Sequence, residues 1–238
     1  DPTLGRFTTM DPMAEKYYSV SPYAYCGNEP VRRIDPDGKD WRVQTHYNEE
    51  TGKMEYDITV RAVLINNSSN QQLDMSTLAS QIVNQVNNVY TTSNDDFVST
   101  MNLQLRTVSS VDDIKDYEHV LQIVDQNKLT KKSGSTVMGE TYKNSLDIKV
   151  GMNAVSNMLN NDDNRTFAHE LGHSGGLDHT MNVENLMTQK IHIQNKEGDY
   201  LKAIQLNHSQ IRTIRDNYIH NRLNRHIPNW RERIRMKL

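Results

Sequence analysis

The sequence predicts a mixed α/β domain of the α+β class. Several short segments alternate apolar with polar residues, others carry apolar residues at helical spacing, and no long apolar run interrupts them. Ile58, Val60, Ala62 and Leu64 alternate with Thr59, Arg61 and Val63, which is the period of a strand. Leu78, Ile82, Val86, Val89 and Tyr90 recur at helical spacing and predict an amphipathic helix over 75–91. Met101, Leu103, Leu105 and Thr107 alternate in a further strand, 120–124 is a short run suited to a buried strand, and Leu146, Ile148 and Val150 alternate again. A second helix is expected to start near Asp162-Asp163-Asn164, which offer N-cap side chains, and to continue through His169 and His173. A third, over 209–225, places Ile211, Ile214, Tyr218 and Leu223 on one face. Residues 66–72 and 128–135 read as surface loops, and no internal repeat is visible.

Composition narrows the function classes. With 35% hydrophobic and 24% charged residues, the 238-residue chain is that of a globular domain, on the polar side. A formal net charge of -3 gives no general argument for nucleic acid or membrane surfaces. No apolar stretch is long enough to span a bilayer. Eight Lys/Arg against two acidic residues in 212–238 are read as charges that solubilise a helix, not as a nucleic-acid site. Cys26 is the single cysteine, so an internal disulfide and a cysteine-rich zinc site are both excluded, and any metal must be held by His and carboxylates. The chain opens on Asp1-Pro2-Thr3 without Met or a signal peptide, and the expectation is a fragment of a longer protein.

Proline divides the chain. Pro2, Pro12, Pro22, Pro30 and Pro36 lie in the first 36 residues, with Pro228 the sixth, so 1–38 should be turns and short extended pieces. Asp35-Pro36-Asp37-Gly38 is a strong turn signal, and a domain boundary is placed just after it, giving segments 1–38 and 39–238. Asp1-Pro2-Thr3-Leu4-Gly5-Arg6-Phe7, Asp11-Pro12, Ser21-Pro22-Tyr23-Ala24-Tyr25-Cys26-Gly27-Asn28-Glu29-Pro30 and Asp35-Pro36-Asp37-Gly38 together resemble the end of an Rhs/YD-repeat-associated core. That resemblance implies a short irregular or β segment closing a large β-cage, with a variable toxin or effector payload after it. It further implies delivery into target cells or secretion as part of a larger bacterial protein, and an immunity protein as a possible partner. Self-cleavage of the core through Asp11 and Asp35 also follows from the resemblance; turn chemistry is the plainer reading of both aspartates.

The chemistry concentrates in His169-Glu170-Leu171-Gly172-His173-Ser174-Gly175-Gly176-Leu177-Asp178-His179. Two histidines four apart on a helix present both imidazoles on one face, one turn apart, where they can share an ion. Glu170 projects beside that position and suits a general base better than a ligand. Gly175 and Gly176 interrupt the helix, and a turn at Gly176 would bring His179 back as third ligand. Three neutral histidines leave a fourth position open, as in catalytic zinc sites.

This string matches the His-Glu-x-x-His-x-x-Gly-x-x-His signature and resembles the metzincin metalloproteases. The resemblance implies a twisted, mostly parallel sheet, an active-site helix, a C-terminal helix and one catalytic zinc ion. It implies metal ligation by His169, His173 and His179, with Glu170 as catalytic base. Glu184-Asn185-Leu186-Met187 resembles the Met-turn, with Met187 chosen over Met181 as the residue beneath the metal. Some metzincins carry a tyrosine two residues after this Met; here Gln189 stands there, which puts a tyrosine ligand in doubt. By analogy, 137–147 supplies the edge strand that pairs with an extended peptide substrate, and 189–196 the specificity loop. Cys26-Gly27 looks like a zinc-binding inhibitory cysteine, but it is better explained as part of the core pattern. Asp178 is either a partner orienting a histidine or a solvated turn residue. His46, His119, His192, His208, His220 and His226 are read as structural or solvated.

The sequence therefore points to a zinc endopeptidase acting on a protein or peptide. Two rival readings are a degenerate zincin that only binds a partner, and a zinc hydrolase acting on cell-wall peptides.

Overall fold

The fold is described from a computed structural model covering residues 41–130, 137–162, 165–189, 204–223 and 225–235. The chain divides into two units, Asp1–Lys39 and Asp40–Leu238, and the described residues belong to the second. Asp11, Asp35, Cys26, His192 and the rest of 1–40 and 190–203 lie outside them, as do Asp163, Asn164 and most of the 128–135 loop.

Among the described residues, seven strands form one sheet: β1 (Trp41–Asn48), β2 (Lys53–Asn67), β3 (Thr92–Ser93), β4 (Phe97–Val108), β5 (His119–Val124), β6 (Gly139–Thr141) and β7 (Asp147–Gly151). The order is β3-β4-β2-β5-β7-β6, with β1 paired to β2. The central ladders β2–β4, β2–β5 and β5–β7 are parallel, whereas β1, β3 and β6 pair antiparallel. The sheet is thus the mostly parallel one expected, in a mixed α+β fold.

Burial explains where the alternating pattern held. Tyr56, Ile58, Val60, Ala62 and Leu64 of β2 join one core cluster, while Val63 and Ile65 join a second on the opposite face. Val63, read as the polar-side position of its strand, is therefore fully buried. A strand covered on both faces reads as a continuous apolar run, as parallel strands in layered folds do.

Helix α1 (Met75–Tyr90) follows the predicted span, and the Asp74 carboxylate caps it by accepting from Ser76 and Thr77 N–H. A helix α2 (Met152–Leu159) absent from the sequence reading comes next. The active-site helix α3 (Thr166–Ser174) starts later than expected, after Arg165, with no side-chain cap at its N-terminus. The Asp162-Asp163-Asn164 capping expectation is thus corrected: Asn161 turns with φ 63° after α2, and the new helix opens only beyond it. Helix α4 (His208–Ile219) opens with a reciprocal Asn207–Gln210 capping box. It stops six residues short of the expected end, because Asn221 adopts φ 54°; Leu223 is buried from the segment beyond. Helix α5 (Trp230–Arg235) completes the element order, and its Trp230 and Ile234 cover Val63, Ile65 and Val120 on the second face. No described helix is long and apolar enough to cross a membrane. Arg215, Arg231 and Arg235, among the basic residues of the C-terminal part, pair with Asp216, Asp116 and Asp112.

Glu118 ties β4 to the 3-10 turn at Val111–Asp113. Its carboxylate accepts from Arg106 Nε at 2.9 Å, Arg106 Nη2 at 2.6 Å and the Lys115 N–H at 2.9 Å, and Arg106 also donates to the Asp113 carbonyl at 2.7 Å. Burial works against ionisation of Glu118, but these donors outweigh it and hold its pKa below the ordinary 4.5. A depressed folded pKa contributes stability that is present above pH 4.5 and lost as pH falls through the folded value. Glu118→Gln is expected to cost about 1–2 kcal/mol at neutral pH. Urea unfolding should show that gap closing below about pH 4; an equal gap at pH 3 would mean that the charge is not what stabilises.

Candidate metal centre

Helix α3 sets two of the three histidines. His169 and His173 stand one turn apart, with ring centroids 4.9 Å apart. His169 is buried, His173 half-buried and His179 exposed, so the cluster runs from the core out to solvent.

The return of His179 depends on how α3 ends. Gly175 stays in the helical region, and Gly176 alone takes φ 88°. Leu177 N–H then donates to the Gly172 carbonyl and Gly176 N–H to the His173 carbonyl, each at 2.9 Å. This is the six-to-one and five-to-two pair of a Schellman motif, with Leu177 buried behind it. Two amides hold the turn from outside. Asn217 Nδ2 donates to the Gly175 carbonyl at 3.2 Å, and Asn144 N–H donates to the His173 carbonyl at 3.0 Å. A methyl group at 176 would stand 2.2 Å from Asn217 Nδ2 and 2.4 Å from Asn144 Oδ1, so both φ and space demand glycine.

The reversal brings the His179 ring to 4.5 Å from His173 and 5.3 Å from His169. His169, His173 and His179 each offer a ligand atom, and all three atoms lie within 4.8 Å of one another. His173 Nε2 and His179 Nε2 face each other at 3.1 Å. Two ligands bound tetrahedrally at 2.0–2.1 Å are separated by about 3.3 Å, so this spacing fits a shared zinc ion.

The other ring nitrogens are occupied by protein groups, which selects the tautomer that ligation needs. His169 Nδ1 meets the Leu186 carbonyl at 2.7 Å, and His173 Nδ1 meets the Leu177 carbonyl at 2.8 Å. A proton on each Nδ1 is donated there, leaving Nε2 as the ligand atom. His179 Nδ1 lies 3.0 Å from Gln189 Nε2, and a half-turn of that amide presents Oε1 to accept the Nδ1 proton. Gln189, two residues after Met187, thus touches a histidine where some relatives of the signature place a tyrosine. Burial above all, with the nearby His173, Arg165 and His179 charges, holds the His169 pKa down to about 3 against the Leu186 bond. The ring is neutral at physiological pH, as a metal ligand must be.

Met187 is fully buried beneath α3: a methyl group on Gly172 would lie 2.5 Å from its Sδ. Met181, the alternative, is 90% exposed. The Met187 turn is fixed by its N–H donating to Asn185 Oδ1 at 2.9 Å and by reciprocal amide bonds between Asn185 and Gln210 at 2.8 and 3.0 Å. Arg165 reaches from the start of α3 to donate to the Thr188 carbonyl, and its guanidinium lies near the His169 ring without bonding to the protonated Nδ1. Glu170, next in sequence to His169, is buried with its side chain against Gly139 of β6. Asp178 points to Lys143 at 2.5 Å and is the solvated alternative of its two readings. His119 is structural, buried with Nε2 at 2.5 Å from Ser174 Oγ; His226 pairs with Asp147 at 2.9 Å, and His208 meets the Tyr56 hydroxyl at 2.8 Å. Gln189, Asn185, Gln210, Asn144 and Asn217 were not singled out as supports by sequence reasoning, since their partners are distant in the chain or lie on other elements. For Gln189→Ala we expect zinc affinity to fall about 10- to 100-fold in a chelator competition, with apo-protein Tm unchanged; unaltered affinity would remove Gln189 from the site.

Residues 42–180, more than half of the chain, match Metallo-peptidase family M12B Reprolysin-like. Over 39 residues, 16% of this chain, the sequence is 62% identical to "Salivary gland surface protein 1" of Aedes aegypti, and the match spans 1% of that protein's length. The chain is also similar to one in the solved "Structure of a chaperone-substrate complex", at a TM-score of 0.39 and 15% identity, covering 78% of this chain and 38% of that one. A three-histidine cluster on the expected signature, a mostly parallel sheet and the family match agree, and the chain belongs to the reprolysin-like M12B family of zinc-dependent metallopeptidases.

Proposed function

We propose that the domain is an endopeptidase in which His169, His173 and His179 hold one zinc ion and Glu170 is the general base. The observation that carries this reading is the buried Glu170 side chain, next in sequence to His169 of the cluster. A zinc ion in such a site supplies Lewis acidity, lowering the pKa of water to about 7 and polarising a carbonyl. Glu170 takes the proton from the attacking water and returns it to the leaving amine. Met187 gives the metal-bearing turn a packed floor. The peptide adds as a strand along the outer edge of β6, the last strand of the sheet, which lies against α3 through Gly139 and Glu170.

The wider setting is part of the same proposal. The Rhs-like residues 1–38 support reading 39–238 as the C-terminal payload of an Rhs-type polymorphic toxin, delivered into target cells or secreted, with the parent cage and an immunity protein as partners. Release from the cage would proceed through Asp11 and Asp35.

Glu170→Gln keeps the shape of the side chain and removes its basicity. Zinc content should stay at that of the wild type, while cleavage of casein or a peptide library falls by a factor of about 100 or more. Retained proteolysis in a zinc-loaded variant would remove Glu170 from the role.

A further inference from the structure

We infer that Gly139 is a positioning residue for the Glu170 carboxylate, its missing side chain being the space that the carboxylate occupies. The inference rests on the proposed role of Glu170 as base. A Cβ at 139 would stand 2.7 Å from Glu170 Cγ, 2.7 Å from Oε1 and 2.8 Å from Cδ. Three atoms along the side chain are affected, so rotation of the terminal carboxyl alone does not relieve the overlap. Backbone conformation gives no other reason for glycine here, since the positive-φ glycines of the described residues are Gly52 and Gly176.

Neither wall of this slot can retreat cheaply. On the strand side, Gly139 is paired with the fully buried Val150 of β7, and the Met138 carbonyl accepts from Gly151 N–H at 2.9 Å. The Thr130 N–H donates to the side chain of the next residue, Glu140. On the helix side, the buried Tyr90 hydroxyl donates to the Ala168 carbonyl at 3.0 Å, and Gln85 Oε1 accepts from Ala168 N–H at 3.2 Å. With both backbones tied, the yielding part is the Glu170 side chain. Proton transfer tolerates little misplacement: a shift of about 1 Å can cost 100-fold in rate.

The test combines Gly139→Ala with Glu170→Ala, using the full chain loaded with zinc. Gly139→Ala alone is expected to lower kcat by about 10- to 100-fold with KM and zinc content unchanged. Its Tm should fall by about 3 °C or more. In the Glu170→Ala background, where no carboxylate meets the new methyl group, Gly139→Ala should leave Tm unchanged. Equal Tm losses in both backgrounds would overturn the inference, as would a rise in KM at unaltered kcat, which would assign Gly139 to substrate pairing alone. Cleavage persisting in Glu170→Ala by itself would instead refute the general-base reading, a result the Gly139 variant cannot produce.

Discussion

The site depends on one backbone reversal. Helix α3 can present only His169 and His173 to a common point, because the helical twist carries the next residues away. The left-handed residue at Gly176, closed by the Leu177-to-Gly172 and Gly176-to-His173 hydrogen bonds, turns the chain back within three residues of its last helical position. His179 arrives at 3.1 Å from His173 only through that turn. A residue with a side chain at 176 meets an unfavourable φ and two amides at once, so ligand geometry and helix termination are the same constraint.

Around this turn the protein fixes orientation with groups that never touch the metal position. Carbonyls of Leu186 and Leu177 set two imidazoles, and Gln189 stands behind the third. Leu186 belongs to the same turn as Met187, whose backbone is held by Asn185 and, through it, by Gln210 of α4. Helix α4 also carries Asn217, which holds the Gly175 carbonyl. Helix α4 therefore reaches both the reversal and the methionine turn, which explains how a helix remote from the signature in sequence controls its geometry. Partners of this kind commonly change metal affinity by about 10- to 100-fold.

The signature was legible because its spacing encodes its geometry: four residues for one helical turn, a glycine where φ must be positive, then a third histidine. Met187 is singled out by its context in the sequence; it lies buried against Gly172, whereas Met181 is exposed. The strands β2, β4, β5 and β7 followed their apolar periods. What failed was local. The N-cap expectation at Asp162–Asn164 assumed that polar residues start the next helix, whereas α3 opens uncapped after Arg165 and is held by burial of Phe167, Ala168 and Leu171. Short elements such as α2 and α5 hold too few residues to declare a period, and β1 was passed over although Trp41 and Val43 alternate into the core. The supporting amides were invisible because a lone Asn or Gln carries no period, and because Asn144, Asn217 and Gln210 act on residues 29, 42 and 25 positions away.

Zinc K-edge X-ray absorption on the zinc-loaded full chain tests the central claim, that three imidazoles from a single reversed helix end form one open site. The account predicts three imidazole nitrogens and one light oxygen donor at about 2.0–2.1 Å. Loss of one imidazole is expected in His179→Ala. A sulfur at about 2.3 Å, which would bring Cys26 into the coordination sphere, or an unchanged spectrum in His179→Ala, would contradict it.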